Sequence, residues 1–423
     1  MSTEELYKLY CECGCKVSTD SRTIPAGAIF FALRGENFDG NEYAVRALEA
    51  GASYAVVNDD HVVVDERMIP VPDPFGALQA LAIHHRKVLG IPVIGLTGTN
   101  GKTTTKELIA AALGAKFKVA ATKGNLNNDI GVPLTLLSIP ADAEIAVVEM
   151  GANHPDDIAK LVKVSQPDYG YITNVGKAHL LGFGSFEGVK YAKGQLYDWL
   201  KAHDGVAFAN ADDPVLQDML WDREMSRIPY GMEGVEVLPS SAQDPFLRLR
   251  WADGRELDTQ LVGAYNAANV MAALKLGWFF GVPEADAWHA VSSYIPSNNR
   301  SQLLKTEKNT VIIDAYNANP SSMAVALDNL ALCQGRKVAL LGDMRELGED
   351  AAAEHAKVVG RLQGVEAYLV GEEFTRAAAG SGIPVFPSSE ALAAFLREHP
   401  LQGCTVLVKG SRGIQMEKTL TSL

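Results

Sequence analysis

Residues 91–105 read Ile91-Pro92-Val93-Ile94-Gly95-Leu96-Thr97-Gly98-Thr99-Asn100-Gly101-Lys102-Thr103-Thr104-Thr105, and Lys106-Glu107-Leu108-Ile109-Ala110-Ala111-Ala112-Leu113 follows. The order is an apolar run, a glycine loop and a helix. A parallel strand covered on both faces is a short apolar run, so 91–94 predicts such a strand. Glycines let the next backbone segment turn its N–H groups toward one point. That point lies at a helix N-terminus, where unpaired N–H groups and the macrodipole favour an anion. Lys102 adds a charge for β- and γ-phosphates, and the Thr103 hydroxyl is placed to ligate Mg²⁺. The loop is expected to cradle a nucleoside triphosphate; the competing reading, a glycine-rich turn that binds nothing, is disfavoured by the strand before it and the helix after it.

The general pattern G-x-x-x-x-G-K-[ST] would need glycine at position 96, which is leucine. The glycines fall at 95, 98 and 101 instead, a tighter G-T-x-G-K-T form.

The totals set the frame. A chain of 423 residues is long enough for two to four domains. Its composition, 47% hydrophobic and 21% charged, is that of a globular protein without long disorder. No apolar run approaches the ~18 residues of a transmembrane helix, and Met1-Ser2-Thr3-Glu4-Glu5 is acidic where a secretory signal would be basic. A cytoplasmic protein with no membrane partner is expected. The formal net charge of -13 argues against a nucleic-acid surface, so an anionic substrate must be met by local cations. Cys11, Cys13 and Cys15 cluster but lack the spacing and second ligand pair of a structural zinc site; reduced thiols are expected.

Residues 1–86 read as a small α/β unit: a polar turn through Ser21 and Arg22, a strand within 27–35 that carries Arg34, a polar loop at Asn37, a helix at 43–50 and a strand at 54–57. In the next unit, 123–133 is dense in amides, with Asn127 and Asn128 among them, and predicts a loop with outward hydrogen-bonding groups. A strand at 143–148 ends at Glu149, in the crevice where doubly wound sheets bind ligands, which makes Glu149 a Mg²⁺ candidate. A strand at 169–175 leads to His179, and Ser185 caps a helix at 186–200 that contains Lys193. By spacing alone His179 and Lys193 are ordinary polar residues. Antiparallel strands are expected within 234–262, and Asn266 and Asn269 then share one helix face. After a break at 297–300, strands at 310–314, 337–341, 367–370 and 405–408 alternate with helices, which predicts a second doubly wound unit. The loops after Asp314 and Lys409 share its carboxyl edge and should face the ATP site.

Taken together, the 98–104 loop, Gly124-Asn125 to Val132-Pro133, Glu149-Met150-Gly151-Ala152, Asn174-Val175 with His179, Ala192-Lys193, Gly263 to Asn269, Arg300, Tyr316-Asn317-Ala318-Asn319-Pro320 and Lys409 to Arg412 resemble the motifs of the Mur ligase family. The likeness covers the whole chain, and the Tyr316 to Pro320 run resembles the branch that adds a dipeptide. It implies an α/β fold of three-domain Mur ligase architecture: a UDP-sugar-peptide-binding domain at 1–86, a central P-loop doubly wound ATPase domain at 87–300, and a C-terminal Rossmann-like domain at 301–423 for the incoming dipeptide.

The resemblance also implies an ATP-dependent, ADP-forming ligase that joins D-alanyl-D-alanine to UDP-N-acetylmuramoyl-tripeptide, acting as a monomer. Gly98, Thr99, Asn100, Gly101, Lys102, Thr103 and Thr104 would hold ATP, with Asn269, Arg300 and Asp314 on base, phosphate and ribose. Thr103 and Glu149 would hold one Mg²⁺, and His179 with Lys193, aligned with a lysine that the family carbamylates, a second. Lys102, Lys193, His179 and Arg300 would carry catalysis. Ser21, Arg22, Arg34 and Asn37 would lie at the uridine end, where Asn41 replaces a histidine common in the family. Asn127, Asn128, Tyr316, Asn317, Asn319, Lys409, Ser411 and Arg412 would meet the peptides. The rivals are a sibling ligase, such as folylpolyglutamate synthase, that adds one amino acid, and a P-loop switch protein that hydrolyses ATP slowly.

Overall fold

The structure is a computed structural model and describes residues 1–177, 180–239, 245–297, 299–300 and 302–423. The chain builds three parallel or mostly parallel sheets. The central one has six parallel strands in the order Ser226–Tyr230, Val206–Asn210, Tyr169–Ile172, Val93–Thr97, Ile145–Glu149, Val119–Ala121. The strand before the glycine loop is thus interior, and all five of its residues are buried, as its unbroken apolar run requires. It begins at Val93, two residues later than expected, because Pro92 has no N–H to give a ladder.

Alternate residues of these strands feed two cores. Val93, Val148, Ile172 and Ala207 join one cluster, whereas Ile94, Val147, Tyr171 and Phe208 join another. Helices Lys102–Gly114 and Ala267–Phe279 fill the second face through Leu108, Ala112, Ala272 and Leu276. The first face takes Asp157–Ser165 and Phe186–Ala202, and it also takes elements from the start of the chain.

That start forms a four-stranded parallel sheet, Val17–Ser18, Ile29–Phe31, Tyr54–Val57, Met68–Pro70. The strand expected within 27–35 is shorter, and a separate hairpin follows from Arg34–Gly35 and Phe38–Asp39. Helices Thr3–Glu12 and Pro74–Leu89 carry Leu6, Tyr10 and Leu78 into the same core cluster as Leu136 and Ala146 of the central unit. Tyr10 also donates its hydroxyl to the Leu137 carbonyl at 2.6 Å.

Strands Val235–Leu238, Phe246–Trp251 and Glu256–Val262 form the expected antiparallel sheet. The C-terminal sheet runs Gln302–Lys305, Thr310–Asp314, Cys404–Lys409, Arg336–Gly342, Glu366–Val370, Val385–Phe386, with only the first strand antiparallel to its neighbour. It too is covered on both faces, since Val311, Val338 and Val406 join one cluster and Ile312, Ala339 and Leu407 another. Among the described residues no helix is long and apolar enough to cross a membrane.

Candidate active site

The glycine loop is held by the end of the neighbouring strand. Thr99 N–H donates to the Asn174 carbonyl at 3.0 Å, Asn100 N–H donates to Asn174 Oδ1 at 3.0 Å, and Thr173 Oγ1 donates to the Asn100 carbonyl at 2.7 Å. This close approach explains Gly98: its φ is +149°, and a Cβ there would sit 1.8 Å from Thr173 Oγ1. Gly101, at φ +78°, is the N-cap of helix Lys102–Gly114, so the loop delivers its backbone straight to a helix N-terminus.

Beneath the loop lies Glu149, 1% exposed. Thr103 Oγ1 donates to its Oε2 at 3.0 Å and Asn127 Nδ2 to its Oε1 at 2.8 Å. Glu149 N–H donates to Thr122 Oγ1 at 2.9 Å, and buried Lys106 donates to the Thr122 carbonyl, so the carboxylate is held from side chain and backbone alike. Lys102 Nζ donates to the Gly98 and Thr99 carbonyls at 2.7 and 3.1 Å. Burial lowers its affinity for the proton, the Glu149 charge opposes that, and Arg300 adds to it. Lys193, 3% exposed, is pushed well below the ordinary lysine range by burial first and by the Lys102 charge second. Lys102 therefore feels the Glu149 carboxylate and two further basic side chains, Arg300 and Lys193, which is more positive charge than one carboxylate balances and suits an anion; Lys193 itself does not line the cavity between the loop and the C-terminal sheet.

The donor set fits a hard divalent ion. Magnesium characteristically takes one or two carboxylates and completes its shell with water and substrate phosphates. Here one buried carboxylate shares its position with one hydroxyl, and the described residues contain no group of three or more His, Cys, Asp or Glu that could hold a metal unaided. His179 lies outside the described residues.

The facing wall comes from the carboxyl end of the C-terminal sheet. A cavity of about 540 Å³ is lined on one side by Thr99 to Thr104, Asn127, Glu149 and Asn269, and on the other by Arg300, Asp314, Tyr316, Asn317, Asn319 and Lys409. Lys409, 1% exposed, forms an ion pair with Asp314 on the adjacent strand and donates to the Asn317 carbonyl at 3.2 Å. The Arg300 guanidinium carbon stands 3.6 Å from the centroid of the Tyr316 ring. Arg412 Nη1 donates to the Tyr316 hydroxyl at 3.2 Å. Asn319 caps helix Pro320–Leu332 through Oδ1 and extends Nδ2 to Asn100 Oδ1 at 2.7 Å. Asn269 donates to Asn266 Oδ1 at 3.0 Å, which places both amides of that helix end together.

Other expected residues stand elsewhere. Ser411 is buried outside the cavity lining and ties three loops: its Oγ donates to the Ala318 carbonyl at 3.4 Å and accepts from Arg345 N–H at 2.9 Å, and its N–H donates to the Asp343 carbonyl at 3.1 Å. Among the described residues Arg412 touches the site through Tyr316 alone, and Asn128 Oδ1 accepts from Gly131 N–H at 2.8 Å at the start of helix Gly131–Leu137. Ser21, Arg22, Arg34 and Asn37 lie in the first unit, away from this cavity; Arg22 pairs with Asp20 and Arg34 with Asp39. Asn41 is buried and bonds Asp39 and Asn58, so it supports this loop from within. The cavity adds Asn153, Ser321 and Ser322, which the sequence reading did not single out, and Asn125, which it quoted only as part of a motif. Ser321 packs against Gly176, where a Cβ would come within 3.0 Å of its Oγ, a contact visible only once the two units are docked.

Family descriptions match almost end to end: Mur ligase family, catalytic domain, over residues 16–86; Mur ligase middle domain over 96–277; and Mur ligase, glutamate ligase domain, over 299–412. A UDP-N-acetylmuramoyl-tripeptide–D-alanyl-D-alanine ligase of Bacillus subtilis (strain 168) is 33% identical over 438 residues, covering 96% of this chain and 92% of the relative. A crystal structure of MurF from Acinetobacter baumannii superposes with a TM-score of 0.86 at 30% identity, covering 96% of this chain and 93% of that one. MurF ligase from Thermotoga maritima in complex with ADP gives a TM-score of 0.85 at 27% identity, with 96% of each chain covered.

Proposed function

The chain belongs to the Mur ligase family, and from that premise we propose that it joins D-alanyl-D-alanine to UDP-N-acetylmuramoyl-tripeptide at the expense of ATP, a step in making peptidoglycan precursors. The γ-phosphoryl group passes to the terminal carboxylate of the tripeptide. The resulting acyl phosphate is attacked by the amine of the dipeptide, and phosphate leaves. No protein nucleophile takes part, so the residues act by positioning and by charge.

The observation that carries this reading is the meeting of Lys102 and Arg300 in a cavity whose one buried carboxylate, among the described residues, is Glu149, with Lys193 buried outside the lining but within reach of the Lys102 charge. Lys102 and the loop N–H groups receive the β- and γ-phosphates, and Arg300 meets charge that develops on the transferred group. Thr103 and Glu149 would hold Mg²⁺, which supplies charge neutralisation between phosphates when bound. Lys193, held deprotonated part of the time by burial, can add its amine to CO₂, lose a proton and become a carbamate whose two oxygens replace a repelling ammonium with a hard anionic ligand. Asn317, beside the Lys409–Asp314 pair, stands on the dipeptide side.

We divide the chain at 1–86, 87–300 and 301–423, a reading supported by a parallel or mostly parallel sheet in each part, and the first unit would hold the uridine end. We take it to act as a monomer, and ATP and a UDP-linked precursor are compounds of the cytoplasm, where we place it. The test is phosphate release with lysine- and diaminopimelate-containing tripeptide nucleotides, each with and without D-alanyl-D-alanine. Release that requires both substrates is expected. Release driven by a single amino acid such as glutamate, or by neither substrate, would overturn the assignment.

A further inference from the structure

Arg300 poses a physical problem. A guanidinium that is to meet a phosphate must be held still, yet a carboxylate that held it would neutralise the charge it brings. Among the described residues Arg300 pairs with no carboxylate, and its Nε is buried without a hydrogen-bond partner. What it has instead is the face of Tyr316 at 3.6 Å. An aromatic face attracts a cation through its quadrupole and leaves the edge N–H donors unspent. The ring is itself oriented, because Arg412 Nη1 donates to the Tyr316 hydroxyl at 3.2 Å, with the Arg412 guanidinium carbon 5.2 Å from the ring centroid.

The two partners come from different parts of the molecule. Arg300 follows the turn at Asn299, whose φ of +56° marks the junction between the central and C-terminal units. Tyr316 sits in the loop after strand Thr310–Asp314 of the C-terminal sheet. Both line the cavity.

We propose that Tyr316 is a positioning residue for phosphoryl transfer, its ring holding the Arg300 guanidinium over the phosphate site, in place of a contact to the incoming dipeptide. This rests on the ligase reading above and deepens it.

A double-mutant cycle on the full chain tests it. With both substrates and ATP, Tyr316→Leu should lower kcat about tenfold at saturating dipeptide, as loss of a desolvated cation–π contact implies. The KM for D-alanyl-D-alanine should stay within about twofold, and Tyr316→Phe, which keeps the ring, should retain roughly a third or more of kcat. Tyr316→Leu added to Arg300→Met should cost less than about twofold beyond Arg300→Met alone. A Tyr316→Leu deficit that saturating dipeptide removes, a Tyr316→Phe variant as slow as Tyr316→Leu, or multiplying losses in the double variant would each overturn the proposal. The unaltered chain, Tyr316→Leu, Arg300→Met and the double variant, titrated with a non-hydrolysable ATP analogue and no acceptor present, repeat the cycle in binding. There, non-additive losses support the stack even if ligation is never observed, additive ones overturn it, and absence of ligation in the unaltered chain counts against the function alone.

Discussion

Asn319 and Asn100 stand 219 residues apart in sequence, and the Nδ2 of the first donates to the Oδ1 of the second at 2.7 Å. The same Asn319 side chain caps helix Pro320–Leu332. One amide thus starts a helix of the C-terminal unit and fastens that unit to the phosphate loop.

Asn319→Ala should lose both contacts and Asn319→Asp only the second, because aspartate caps a helix as well as asparagine. Thermal unfolding of Asn319→Ala should reflect a loss of about 1 kcal/mol for the cap, with Asn319→Asp closer to the unaltered protein. Both should lower kcat, since aspartate sets a carboxylate oxygen against Asn100 Oδ1. A normal rate for Asn319→Asp would remove the contact from the working state.

Lys102→Ala should abolish ligation while leaving the fold intact. One phosphate charge in a water-poor site is worth orders of magnitude. Retention of more than about a tenth of the rate, one decade being ~1.4 kcal/mol, would show that the loop does not hold the triphosphate in the assigned way.

Lys193→Ala should lose activity that small carboxylates partly restore, whereas Lys193→Arg should stay inactive. The pH dependence has a definite sign. Because folding depresses the Lys193 pKa, between that value and the ~10.4 of a free lysine the unfolded chain binds more protons than the folded one. The uncarbamylated protein therefore gains stability as pH rises through that window, and its amine becomes more reactive toward CO₂. Carbon-13 bicarbonate should give a carbamate resonance that is absent in Lys193→Arg; no such resonance, with a normal rate for Lys193→Arg, would dismiss the carbamate.

The Lys409–Asp314 pair is asymmetric: Lys409 is 1% exposed and the Asp314 carboxylate 21%. Asp314→Ala strands a buried ammonium and should cost about 3 kcal/mol or more, while Lys409→Ala leaves a carboxylate that water can reach and should cost less. Urea unfolding of the two variants gives the order directly.

The parts of this fold that announce themselves in the sequence are those with a strong local cause. The loop at 98–104 is legible because glycine, lysine and a following helix occur together, and the interior strands because they are uninterrupted apolar runs. Strands Gln302–Lys305, Val385–Phe386 and Val119–Ala121 escaped notice, being short and only partly buried, so their residues carry little pattern. The site divides in the same way. Lys102, Thr103 and Glu149 follow from strand ends. The stacking of Arg300 on Tyr316 and the reach of Asn319 to Asn100 depend on how two sheets dock, which no local spacing encodes. Lys193 reads as an ordinary helix lysine until its burial is seen.

The core that Leu6 and Tyr10 share with Leu136 and Leu137 has a consequence for how the chain is born. Helix Thr3–Glu12 is made well before its cover: helix Pro74–Leu89 packs on it roughly seventy residues later, and the hydroxyl of Tyr10 waits 127 positions for its acceptor. At roughly 5–20 residues per second this is an interval of several seconds or more, in which the part of the helix face that meets Leu136 and Leu137 is bare. The first unit is thus completed only by the ATPase sheet, and arrested nascent chains in which Leu136 and Leu137 have not yet left the ribosome should remain protease-sensitive at helix Thr3–Glu12, while longer ones gain protection.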